Sequence, residues 1–220
     1  MPILKKYLAD FEEGEIYHVY NRTNNNEKLF LSDSNRVFFL KRYADIVSPF
    51  VDTFCWNLLS NHFHLLIRVK TEKDILQYLK NQAGKLITVT EKKIISKEIS
   101  LSELIEQQFK RFFQSYALAF NKTENRKGNL FYKPFKRVKV GNDAQFTTTL
   151  IYIHANAMKH GVTKDFTKYQ WSSWQTILSD KPTLLARKEV IDWFGSLQNL
   201  IKSHEEMARF YYECPLSIED

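Results

Sequence analysis

A chain of 220 residues with 44% hydrophobic and 15% aromatic side chains carries enough apolar surface for one domain with an appendage, or for two small domains. Those proportions exclude a disordered chain, and the longest apolar runs are too short to span a bilayer. The net charge of +7 favours an anionic partner, nucleic acid first, although an ordinary basic soluble protein has the same balance.

The N-terminal stretch MPILKKYLADFEEGE carries acids early and lacks the apolar core of a signal peptide. Glu15 to Arg22 (EIYHVYNR) reads as a strand and ends in a turn-prone TNNNEK. The spacing beyond predicts a helix capped by Ser32 or Asp33, with Val37, Phe38, Leu40 and Ile46 on its apolar face and Pro49 at its end. Val51 to Leu59 and His62 to Val69 flank Ser60-Asn61 and read as a tight hairpin. Asp74 to Val89 has helical spacing at Ile75, Leu76, Leu79 and Leu86, and the polar stretch Thr90 to Ser100 reads as a loop or variable insertion. Leu101 to Asn121 reads as a helix with Leu104, Ile105, Phe109, Phe112, Phe113 and Tyr116 inward. After the break NKTENRKGN, Leu130 to Val140 reads as extended, and a helix starts at Gly141-Asn142-Asp143 and stops at Gly161. WSSW at Trp171 to Trp174 is followed by two helical stretches, Lys188 to Phe194 and Leu197 to Tyr212. These amphipathic stretches pack on the core or join two protomers. The order matches an α+β, ferredoxin-like β-α-β-β-α-β sheet with helices on one face. Residues 1–174 then form the main domain and 175–220 a helical C-terminal extension.

His62 and His64 flank Phe63 on a strand, so both imidazoles project from one face. Paired imidazoles suit a metal, but two surface histidines satisfy the same triplet. Tyr152 and Asn156 are four apart on a helix and share its face. An amide oxygen at Asn156 can complete a site begun by the histidines, with Tyr152 beside it, and a core tyrosine fits the apolar neighbours Ile151 and Ile153 equally. Cys55 and Cys214 form no CxxC pair, so a zinc knuckle or disulfide framework is not indicated, and a reducing cytoplasm is expected. The segment after Leu130 alternates Phe131, Tyr132 and Phe135 with Lys133, Lys136, Arg137 and Lys139. That pattern suits phosphates and stacked bases, or a solvated basic face over core aromatics.

Four segments together resemble the single-tyrosine transposases with a histidine-hydrophobe-histidine motif, the insertion-sequence-200-like enzymes and especially their REP-associated branch. YHVYNR (17–22) is similar to the family's first strand, and SNHFHLLI (60–67) to its metal-binding strand. GNLFYKPFKRV (128–138) is similar to its basic segment, and YIHANAMKHG (152–161) with WSS (171–173) to the nucleophile helix and the motif after it. The likeness runs from about Gly14 to Trp174. The chain has Ala157 after Asn156 and Ser60 before Asn61, where the branch often has proline. The resemblance implies the ferredoxin-like fold, His62, His64 and Asn156 as ligands of Mg²⁺ or Mn²⁺, and Tyr152 as nucleophile. It implies cleavage and rejoining of single-stranded, hairpin-containing DNA through a 5′-phosphotyrosine, by a monomer or a homodimer. Arg22 and Arg68 flank the implied site and join the candidate DNA contacts. A non-catalytic single-strand-binding derivative of a transposase is the alternative from another class.

Overall fold

The structure, a computed structural model, describes residues 7–82 and 88–213, with side chains through residue 210. Leu86 and Cys214 lie outside the described residues. Four strands, β1 (Ile16–Arg22), β2 (Val51–Leu58), β3 (His62–Val69) and β4 (Lys136–Val140), form one antiparallel sheet in the order β2-β3-β1-β4. Among the described residues there are eight α-helices: α1 (Asp33–Ile46), α2 (Glu72–Asn81), α3 (Val89–Ile95), α4 (Leu101–Thr123), α5 (Asp143–Lys159), α6 (Trp174–Leu178), α7 (Arg187–Trp193) and α8 (Leu197–Glu213). No helix among them is long and apolar enough to cross a membrane.

Strand parity divides the core in two. Tyr17 and Val19 of β1 and Phe63, Leu65 and Ile67 of β3 point to one face, where α1 and α4 bring Phe39, Tyr43, Phe109 and Phe112. Leu66 and Val140 point to the other, where α5 brings Leu150 and Ile151 and α8 brings Leu200. A register shift between Thr53 and Cys55 lets the adjacent residues Phe54 and Cys55 both join this second cluster. Helices therefore cover both faces of the sheet. The expected one-sided arrangement describes α1 and α4 only, because α5 crosses the face that carries the histidines.

Two further expectations are corrected. On α1 the inward positions are Phe39, Tyr43 and Ile46, spaced by four and three, while Val37 is 58% exposed and Phe38 37%. Ser32 is its cap, accepting from Asn35 N–H in a capping box. The stretch expected as a loop from Thr90 contains α3. Thr88 and Glu91 form a reciprocal capping box at its start, and Ile94 is buried beneath it.

Both sheet edges are partly covered. Leu58 N–H donates to Trp171 O (2.8 Å) and Ser173 N–H to Trp56 O (2.9 Å) along β2. Ala186 N–H donates to Thr53 O (2.8 Å) farther along the same strand, and Ala9 N–H reaches Arg137 O (3.3 Å) on β4.

Candidate active site

The second face of the sheet is apolar at one end and polar at the other. Registered pairs set a row across all four strands, Asn57 on β2, His64 on β3, Tyr20 on β1 and Lys136 on β4. His62 faces Arg22 one step along, and His18 lies on the opposite side of the row. The two histidines expected to share a face do so, and their rings are 5.2 Å apart.

α5 passes over this row. Asn142 caps it by accepting from Gln145 N–H, and Gly161, with φ +65°, follows its end in the left-handed region that glycine adopts readily. The four-residue spacing puts Tyr152 and Asn156 over the histidines. Asn156 Oδ1 is 3.4 Å from His62 Nε2, and the Tyr152 ring is 6.0 Å from that of His64. Lys159 Nζ lies 5.1 Å from the centre of the Tyr152 ring, which puts positive charge beside the phenol.

Three residues complete the cluster that the sequence reading did not single out. His18, 2% exposed, has Nε2 2.9 Å from His64 Nδ1, so one ring donates to the other and fixes its orientation. His160, at the end of α5 and one turn beyond Asn156, sets its ring 4.7 Å from that of His62. Asn57 Nδ2 donates to Ile153 O at 2.7 Å, which assigns the amide's orientation and leaves its buried Oδ1 with no hydrogen-bond partner among the described residues. The parity of YHVY and the YxxxNxxxH spacing carry the first two. Asn57 needs the register.

The donor set fits a divalent cation. Two imidazoles and an amide oxygen are neutral ligands of suitable kind, and the 3.4 Å between His62 Nε2 and Asn156 Oδ1 is the spacing of groups converging on one centre. Among the described residues no group of three His, Cys, Asp or Glu side chains is arranged to hold a metal ion, so a third ligand would have to be the Asn156 amide.

A cleft of about 230 Å³ opens beside His62, lined by Tyr20, Asn21, Arg22, Asn61, Tyr132, Lys136 and His160 among others. It is built by stitching the end of β1 to the segment before β4. Tyr132 N–H donates to Arg22 O (2.8 Å), Asn24 N–H to Leu130 O (3.0 Å), and Arg22 sits 5.4 Å over the Tyr132 ring. Tyr132 and Lys133 are exposed. Tyr152 is only 1% exposed and does not line the cleft.

The other residues grouped as DNA contacts lie elsewhere. Arg137 and Lys139 point to the α1 and α4 side of β4: Arg137 donates to Ala9 O (2.7 Å) and Glu106 (2.9 Å), and Lys139 pairs with Glu12 (2.9 Å) and Glu15 (3.5 Å). Phe131 is buried against Phe113, with rings 5.0 Å apart. Arg68 is held by Asp52 (2.7 Å) and Glu189 (2.6 Å).

No known protein family and no curated relative matches the sequence. A solved structure, a REP-associated tyrosine transposase bound to a REP hairpin, matches with a TM-score of 0.50 at 16% identity. The match covers 83% of this chain and 89% of that one. At that identity the likeness is one of fold.

Proposed function

We propose that this protein cleaves and rejoins single-stranded DNA at the β1–β3–α5 cluster, with Tyr152 as nucleophile. The observation that carries the reading is the convergence of Tyr152 and Asn156 on His62 and His64 from a separate element. The strand order β2-β3-β1-β4 supports a ferredoxin-like sheet, and the fold likeness to a transposase bound to a DNA hairpin supports the substrate class.

His62, His64 and Asn156 would hold Mg²⁺ or Mn²⁺, which supplies Lewis-acid stabilisation of charge on a phosphate. His18 holds His64 through its Nδ1 and so fixes the orientation of the ring. Arg22, Tyr132, Lys133 and Lys136 would lead the strand past the cleft, the cations neutralising phosphates and the exposed ring stacking a base. Tyr152 Oη attacks the phosphorus, the bond to the 3′ oxygen breaks, and the 5′ phosphate stays on the tyrosine while a 3′-hydroxyl leaves. The ester is retained in the link, so rejoining needs no nucleotide cofactor.

The burial of Tyr152 favours the rival reading, a single-strand-binding protein that does not cut. Incubation with labelled single-stranded hairpin DNA and Mn²⁺ separates the two. A covalent adduct on a denaturing gel, lost in Tyr152→Phe and in His64→Ala, is expected. An adduct that persists in Tyr152→Phe removes the assignment, and binding without any adduct selects the rival.

A further inference from the structure

The face of α5 turned away from the histidines is held by a buried hydrogen-bond chain. His204 on α8 has Nδ1 2.8 Å from Leu200 O, which can only accept, so that nitrogen carries the proton. Its Nε2 then accepts from His154 Nδ1 at 2.9 Å, and His154 Nε2 accepts from Ser173 Oγ at 2.8 Å. Ser173 Oγ in turn accepts Trp56 N–H at 2.9 Å. One direction of donation satisfies every link with both imidazoles neutral. His154, Ser173 and His204 are all 0% exposed. From β2, Asn57 Nδ2 donates to Ile153 O (2.7 Å) and reaches His154 O (3.4 Å). Asn57 is the register partner of His64.

These contacts fall on Ile153 and His154, between Tyr152 and Asn156. Apolar ridges alone let a helix repack by sliding or turning, whereas hydrogen bonds to named atoms fix its rotation. The hydrogen bonds join four parts of the sequence: β2, the tyrosine helix, the WSS segment and the C-terminal helix.

We propose that His204 and Ser173 are positioning residues, holding α5 in the rotation that presents Tyr152 and Asn156 to the histidine pair, so that the C-terminal helix is part of the active site's framework. This rests on Tyr152 being the nucleophile. A misplacement of about 1 Å costs on the order of 100-fold in rate, which sets the size of effect.

The test compares His204→Phe, which keeps a ring and loses the acceptor, with His204→Gln, which keeps an acceptor. Single-turnover adduct formation at saturating DNA is expected to fall roughly 10- to 100-fold in His204→Phe, with DNA affinity held within about two-fold. His204→Gln is expected to recover most of the rate. Amide exchange is expected to quicken over α5 in His204→Phe and stay unchanged in β1 and β3. If His204→Phe does not fold, Ser173→Ala gives the same comparison with a smaller change. A folded variant with wild-type rate and exchange overturns the clamp, and so does equal loss in His204→Phe and His204→Gln. Wild-type protein that forms no adduct, with exchange still quickened in His204→Phe, overturns the nucleophile reading instead and with it the clamp's part in the reaction.

Discussion

Lys136 and Arg137 are neighbours in the chain and face opposite sides of the sheet. Lys136 lines the cleft and has its ammonium 4.5 Å from the Tyr7 ring and 5.5 Å from the Tyr20 ring. Arg137, 6% exposed, is bound to a carboxylate and a carbonyl beneath the sheet. Sequence composition treats the two alike, and strand parity separates them. Lys136→Gln is therefore expected to weaken single-stranded DNA binding and lower the slope of log affinity against log salt by about one. Arg137→Gln is expected to leave that slope unchanged and to cost about 1–3 kcal/mol of stability, because Glu106 and the Ala9 carbonyl lose a shared donor. Salt titrations and urea melts of the two variants check both. A reduced slope in Arg137→Gln would place the DNA path on the wrong face.

At the scale of elements, the α1–α4 layer is aromatic. Phe39 of α1 meets Phe112 at 4.7 Å and Phe63 of β3 at 5.0 Å between ring centres, and it is 0% exposed. Phe39→Ala is expected to destabilise the fold by about 3–5 kcal/mol in denaturant unfolding, and Val37→Ala, on the exposed side of the same helix, by well under about 1 kcal/mol. α4 was readable because its buried positions recur at helical spacing over 23 residues. For α1 the sequence predicts a helix but turns its face, since Val37 and Phe38 are as apolar as Phe39 and only packing chooses among them. α3 is hard to see in the sequence because seven polar-rich residues give little periodicity, although the reciprocal pair Thr88 and Glu91 signals its start. The site divides in the same way. His62, His64, Tyr152 and Asn156 follow from strand and helix periods. His18 follows from the parity of β1 as well, whereas Asn57 joins them only through cross-strand register, and His204 only through the docking of α8, which no local pattern encodes.

At the scale of the whole molecule, α8 ties stability to pH. Burial holds His204 down to about 4, against the Leu200 carbonyl, which favours the charged form. Burial, and secondarily His204, drive His154 well below its usual range. The unfolded chain binds a proton on His204 near its ordinary 6.5 while the folded chain does not until about 4. Its contribution is thus fully present above pH 6.5 and is lost as pH falls toward 4, roughly 3 kcal/mol across that window. The difference in melting temperature between wild type and His204→Phe is expected to shrink over that interval, and a constant difference would remove His204 as the titrating group. The two sheet margins carry a separate consequence. On β2 the carbonyls of Thr53, Trp56 and Leu58 and the amides of Trp56 and Leu58 are already taken by Ala186, Ser173, Tyr169 and Trp171. On β4, Ala9 occupies the Arg137 carbonyl. An incoming strand finds most of the β2 border already taken and one carbonyl taken on β4, so β2 is the border better guarded against edge-to-edge polymerisation.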